Sequence, residues 1–149
     1  MLTDGAAQAD LWRCLVLYNE GGVYMDIDAT LVENLIDVIS SEEQVFVKNK
    51  EGFTNFFMAT RKKNPIFLEF INKIVENIEN YDPSSNISVF ETTGPGALIK
   101  ILSKHNEILF EEQQHVCIQG VFTNEYFQYI DRPKSKWIYK KTFIKQNNH

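Results

Sequence analysis

The stretch Asn19-Glu20-Gly21-Gly22-Val23-Tyr24-Met25-Asp26-Ile27-Asp28 constrains this chain more than any other. Two adjacent glycines stop the helix before them, because glycine takes the left-handed geometry of a C-terminal cap. Beyond them apolar and polar residues alternate with a period of two, the pattern of a strand. Val23, Met25 and Ile27 fall on one face, and Tyr24, Asp26 and Asp28 on the other. The expectation is a central strand anchored by its apolar face. Its two carboxylates would stand together at the C-terminal edge, about 6 to 7 Å apart at the backbone. Hard oxygen ligands of this kind suit Mg²⁺ or Mn²⁺, ions that commonly also hold substrate phosphates. Taken alone, so short a pattern is better read as two solvated acids where a strand meets a loop.

The rest of the chain supplies alternating helices and strands. Asp4 is placed to cap a helix from about Ala6 to Tyr18, with Ala7, Leu11, Cys14, Leu15 and Tyr18 as its apolar stripe. A short helical segment is expected over Leu31 to Ile39, then strands at Val45-Phe46-Val47 and Phe56-Phe57-Met58-Ala59. Asn64 and Pro65 open the clearest helix, whose face carries Phe67, Phe70, Ile71, Ile74, Val75 and Ile78. Ile87 to Phe90 reads as a strand. Thr92-Thr93-Gly94-Pro95-Gly96 reads as a turn opening a helix to about Ser103, and Val116 to Ile118 and Val121 to Phe122 as late strands. Such alternation implies an α/β domain.

Composition narrows the function classes. With 149 residues, 44% of them apolar, the chain fits one domain spanning 1–149 and needs no disulfide or structural metal. The net charge of −5 gives nothing to attract a phosphate backbone, so no nucleic-acid partner is expected. A basic run from Lys134 to Lys145, interleaved with Trp137, Tyr139 and Phe143, is best read as a solvated strand or tail. No apolar run is long enough for a transmembrane segment, and the start has no signal-peptide pattern. Cys14 and Cys117, far apart and outside any CxxC spacing, suggest buried free thiols in a reducing, cytoplasmic setting. His105, His115 and His149 make no HExxH pattern, which removes the common zinc-hydrolase motifs.

Asp10 and Arg13 lie one helical turn apart just ahead of the D-x-D strand. By themselves they read as a surface ion pair worth a few tenths of a kcal/mol. Together, however, Ala9-Asp10-Leu11-Trp12-Arg13, Leu17-Tyr18, Gly21-Gly22-Val23-Tyr24, Asp26 and Asp28 form a composite that resembles the core of glycosyltransferase family 32. That family holds the D-x-D sugar-binding region and includes fungal initiation-type mannosyltransferases and bacterial capsule-synthesis enzymes. Asn55-Phe56-Phe57-Met58-Ala59 with Asn64-Pro65-Ile66-Phe67 resembles a second family segment, Asn64 standing where histidine is usual. Thr93-Gly94-Pro95-Gly96 resembles its T-G-P turn, so the likeness runs from about Ala6 to Leu102.

The resemblance implies an α/β, GT-A-like mixed sheet with flanking helices and a metal-dependent transfer that retains anomeric configuration. It implies a nucleotide-sugar donor, a glycan or other hydroxyl acceptor, and Mn²⁺ or Mg²⁺. It assigns the metal to Asp28 with Asp26, and the donor sugar to Asp10, Arg13, Tyr24, Asp26 and Gly94. His149 is the position that would match the family's C-terminal metal-side histidine. Family members normally carry a nucleotide-binding β-α-β section ahead of the Asp-x-x-Arg helix, for which Asp26 leaves no room. The expectation is therefore an N-terminally truncated domain: a fragment, a split product or a decayed homologue. Two rival readings stand beside the enzyme. One is a non-catalytic carbohydrate- or partner-binding remnant. The other takes Asp26-Ile27-Asp28-Ala29-Thr30 as the D-x-D-x-T loop of a haloacid-dehalogenase-type phosphatase, with Asp26 as nucleophile.

Overall fold

The computed structural model describes residues 1–39, 44–105, 110–119, 131 and 143–145. Among the described residues six strands and six helices follow in the order α1 (Gly5–Glu20), β1 (Gly22–Met25), β2 (Ala29–Leu31), α2 (Leu35–Ile39), β3 (Gln44–Asn49), β4 (Gly52–Thr60), α3 (Pro65–Glu79), α4 (Val89–Thr92), α5 (Pro95–Leu102), β5 (Phe110–Glu112), α6 (Gln113–Val116) and β6 (Cys117–Gln119). The main sheet has the order β1-β4-β3-β5. It is mixed, as expected: β4 is antiparallel to both β1 and β3, whereas β5 runs parallel to β3. A second sheet pairs β2 with β6.

One sheet face presents Phe46 and Met58 to Cys14 and Leu17 of α1, Phe67, Phe70 and Ile74 of α3, and Leu98 and Ile101 of α5. The other presents Val45, Val47, Phe57 and Ala59 to Ala29, Val116 and Cys117, with Leu35, Val38 and Ile39 packed alongside. The long helices form where their ends are capped. The Asp4 carboxylate accepts from the Ala6 and Ala7 amides, and the Asn64 side chain accepts from Ile66 N. Both cysteines are buried and free.

Several elements depart from expectation for physical reasons. The strand at 22–25 ends at Met25, and Asp26 to Asp28 belong to the turn into β2. It is an edge strand rather than a central one, and its faces are reversed. Val23 and Met25 are exposed and Ile27 is 95% exposed, while Tyr24 packs toward the core. Val23 instead borders a pocket lined by Gly22, Ile39, Val45 and Ala59. Leu31 pairs in β2, so helix α2 starts only at Leu35. Leu15 and Val75 lie outside the buried stripes of their helices, each 40% exposed. Ile87 to Phe90 is not a strand, because Ser88 and Glu91 close a capping box that starts α4. Val116 ends α6 and only Cys117 onward is strand. Val121 to Phe122, most of the Lys134 to Lys145 run, and His149 lie outside the described residues.

The Gly21 corner, which delivers β1 to the end of α1, has φ of 70°. A Cβ there would sit 2.6 Å from Lys62 N and 3.0 Å from Thr60 O, both backbone atoms. Gly21→Ala is expected to cost about 1 to 3 kcal/mol from backbone strain alone. An unchanged urea midpoint would contradict this path for the chain.

Candidate functional site

A helix repeats every 3.6 residues, so Asp10, Arg13, Cys14 and Leu17 share the face of α1 that packs inward. Asp10 and Arg13 are thus not a surface pair: each is 7% exposed. Burying an ion pair demands that its remaining hydrogen-bonding capacity be met. Arg13 Nη2 lies 3.4 Å from Asp10 Oδ1, and Arg13 Nη1 lies 3.2 Å from Asp26 Oδ1. The same Nη1 donates to Asn55 O at 2.8 Å. The guanidinium carbon stands 4.4 Å from the centre of the Tyr24 ring, and Tyr24 OH donates to Asp26 Oδ1 at 2.6 Å. Asp10 in turn accepts from Asn55 Nδ2 and Thr93 Oγ1, each at 2.9 Å.

The sheet is irregular where this network crosses it. Between the pairs Phe46–Met58 and Val47–Thr54 the register shifts, and Asn55, Phe56 and Phe57 occupy the shift. The irregularity turns the Asn55 side chain to Asp10, while Phe56 O accepts the Asp26 amide at 2.8 Å. The Asp26 to Asp28 turn is thereby tied to β4 at the end of β1.

Buried Arg13 serves two acids, Asp10 and Asp26. Burial raises the Asp10 carboxyl to about 6, against the opposing pull of Arg13, Thr93 and Asn55. Burial also raises Asp26. Arg13 and the Tyr24 hydroxyl pull it back down, and the neighbouring charge of Asp28 adds to the rise. The Tyr24 phenol is held above its usual range by burial and by its bond to Asp26. Burial, more than like charge, is what favours the protonated form of these acids.

Among the described residues no group of three or more His, Cys, Asp or Glu gathers as a closed metal cage. Asp26 and Asp28, electrostatically coupled at one turn, offer an oxygen-only pair. That donor set suits a hard, largely hydrated divalent cation and does not fit a structural zinc.

The structure brings together Asp10, Arg13, Tyr24 and Asp26, with Asp28 beside them. Gly94 comes near through its neighbour Thr93, but itself packs on the backbone of α4. A Cβ there would be 3.2 Å from Phe90 Cα and 3.3 Å from Val89 O. Asn55 and Thr93 were not singled out as site residues from sequence. The available signal was a polar residue at the head of an apolar strand run and a threonine inside the T-G-P turn, each needing a partner if buried.

The family model described as "Glycosyltransferase sugar-binding region containing DXD motif" matches residues 1–46, the span that holds Asp10, Arg13, Asp26 and Asp28. Over this span the chain is similar to that glycosyltransferase region. The chain is 27% identical over 108 residues to Inositol phosphoceramide mannosyltransferase 3 of Schizosaccharomyces pombe (strain 972 / ATCC 24843), a match that covers 72% of the chain and 30% of that protein. In structure it is similar to the PaToxG Glycosyltransferase, with a TM-score of 0.56 and 25% identity over 68% of this chain and 35% of that one. The mixed sheet with flanking helices is thus GT-A-like. The chain spans about a third of the length of these two relatives. Among the described residues no helix is long and apolar enough to cross a membrane.

Proposed function

We propose that the chain forms the donor-sugar and metal side of a glycosyltransferase centre. The centre moves a sugar, with retention of configuration, from a nucleotide-sugar donor to a glycan or other hydroxyl acceptor. The observation that carries this reading is the buried Arg13 held between Asp10 and Asp26 beside Asp28. Arg13 supplies a fixed cation near the donor. Tyr24 and Arg13 fix the orientation of the Asp26 carboxylate, so little reorganisation is needed when a donor arrives. Asp28 and Asp26 are the residues that would hold Mn²⁺ or Mg²⁺. Such an ion would neutralise the charge of a departing nucleoside diphosphate. Retention enters the proposal from the family resemblance, and same-face transfer asks for no dedicated general base. The mannosyltransferase likeness puts a mannosyl nucleotide first among donors to try. The phosphatase reading is set aside because the D-x-D turn lies within the span matched by the glycosyltransferase sugar-binding model.

Calorimetric titration tests the proposal. Mn²⁺ binding is expected to be weak alone and at least about tenfold tighter with UDP or GDP, because one or two carboxylates leave the ion largely hydrated. Asp28→Asn is expected to abolish that gain while leaving the thermal midpoint within a few degrees of the parent. Mn²⁺ affinity indifferent to both nucleotides would overturn the proposal for this chain. Nucleotide-dependent binding without sugar turnover would overturn the transferase and leave a carbohydrate-binding remnant.

A further inference from the structure

We propose that Thr93 and Asn55 are positioning residues that hold Arg13 against Asp26 through the carboxylate of Asp10. The importance of that pose to a donor rests on the function proposed above. The resemblance puts Asp10 on the donor sugar, but its surroundings point elsewhere. Its Oδ1 accepts from Asn55 Nδ2 and pairs with Arg13 Nη2, while its Oδ2 accepts from Thr93 Oγ1. With 7% exposure and both oxygens directed at protein groups, Asp10 acts through its neighbours rather than on a ligand.

A carboxylate turns easily about its last torsion, so one partner leaves its plane undefined. Here two partners from different elements grip different oxygens. Asn55 comes from the irregular stretch of β4, and Thr93 from the corner between α4 and α5. Thr93 is fully buried, and its hydroxyl lies closer to Asp10, at 2.9 Å, than to Val89 O, at 3.3 Å. The absence of a side chain on Gly94 and Gly96 lets that corner close onto Phe90 and brings Thr93 within reach. Once the Asp10 plane is set, Nη2 of Arg13 is occupied. The planar guanidinium then directs Nη1 to Asn55 O and Asp26 Oδ1, with Tyr24 against its face. The T-G-P turn thus reaches the D-x-D aspartate through two intermediaries.

The test is the nitrogen-proton NMR spectrum of the Arg13 guanidinium in the full chain, read at a temperature where each variant is folded. In the parent and in Thr93→Ser, which keeps the hydroxyl, slowly exchanging Arg13 resonances are expected. Thr93→Val should speed their exchange at least about tenfold and weaken nucleotide-dependent Mn²⁺ binding in parallel. If Thr93→Val does not fold, Asn55→Ser makes the same cut at the other oxygen and should speed exchange likewise. Arg13 resonances unchanged in a folded Thr93→Val or Asn55→Ser variant would overturn the proposal. If the parent chain binds no nucleotide while the Arg13 signals still follow Thr93, the positioning proposal stands and the donor reading fails. The two failures are therefore distinguishable.

Discussion

Replacing Arg13 with methionine is expected to cost about 3 to 5 kcal/mol at pH 7.5, since it strands the buried Asp10 and the half-buried Asp26 without their cation. Methionine keeps most of the volume, so the loss reports charge rather than a cavity. Arg13 sits 3.4 Å from Asp10 and 3.2 Å from Asp26, and burial already lifts both acids. The pH dependence has a definite sign. The Asp10 carboxyl is raised from 3.8 to about 6 in the folded chain. A carboxyl raised on folding stabilises the fold below its unfolded value, and that stability is lost as pH rises through the folded value. Removing Arg13 takes away the largest lowering influence on both acids and strengthens this effect. Urea unfolding of Arg13→Met should therefore show a smaller deficit at pH 5 than at pH 7.5. Adding Asp10→Asn should recover part of it. A deficit equal at both pH values would mean that Arg13 matters by packing alone.

Phe67→Ala should be as damaging for a different reason. Phe67 is 1% exposed and stacks on Phe46 with ring centres 5.6 Å apart, between α3 and the sheet. Truncation removes apolar transfer energy and leaves a void that a sheet-backed helix cannot close, a loss of about 3 to 5 kcal/mol. Val75→Ala, on the same helix but 40% exposed, is the control and should stay within about 0.5 kcal/mol. Equal losses at the two positions would show that α3 does not face the sheet as described.

How much of this was legible from sequence depends on how local the deciding contact is. Asp4, Asn64 and Pro65 announced the starts of α1 and α3, because a cap lies within three residues of what it caps. Alternation in Val23 to Asp28 separated two faces correctly but assigned the wrong one inward. At an edge strand the choice is made by the partner, here the Arg13 guanidinium under Tyr24 and Asp26. Helix α4 was hidden by four residues that also suit a strand, and only the Ser88 to Glu91 capping box marks it. The burial of Asp10 was the least readable feature. A three-residue spacing is the same for a surface ion pair and for a buried one. The groups that decide it, Asn55 and Thr93, lie 45 and 83 residues away in the chain. The family resemblance reached those segments without revealing what their polar side chains contact.

Paramagnetic broadening by Mn²⁺ tests the central claim most directly, because it locates the ion as well as detecting it. With substoichiometric Mn²⁺ and a saturating nucleoside diphosphate, the amide spectrum of the full chain should lose first the signals of Asp26 to Thr30 and the side-chain signals of Arg13 and Tyr24. Asp28→Asn should restore them. Broadening centred instead on the exposed acids around Asp82, or unaffected by Asp28→Asn, would contradict a metal and donor site at the D-x-D turn.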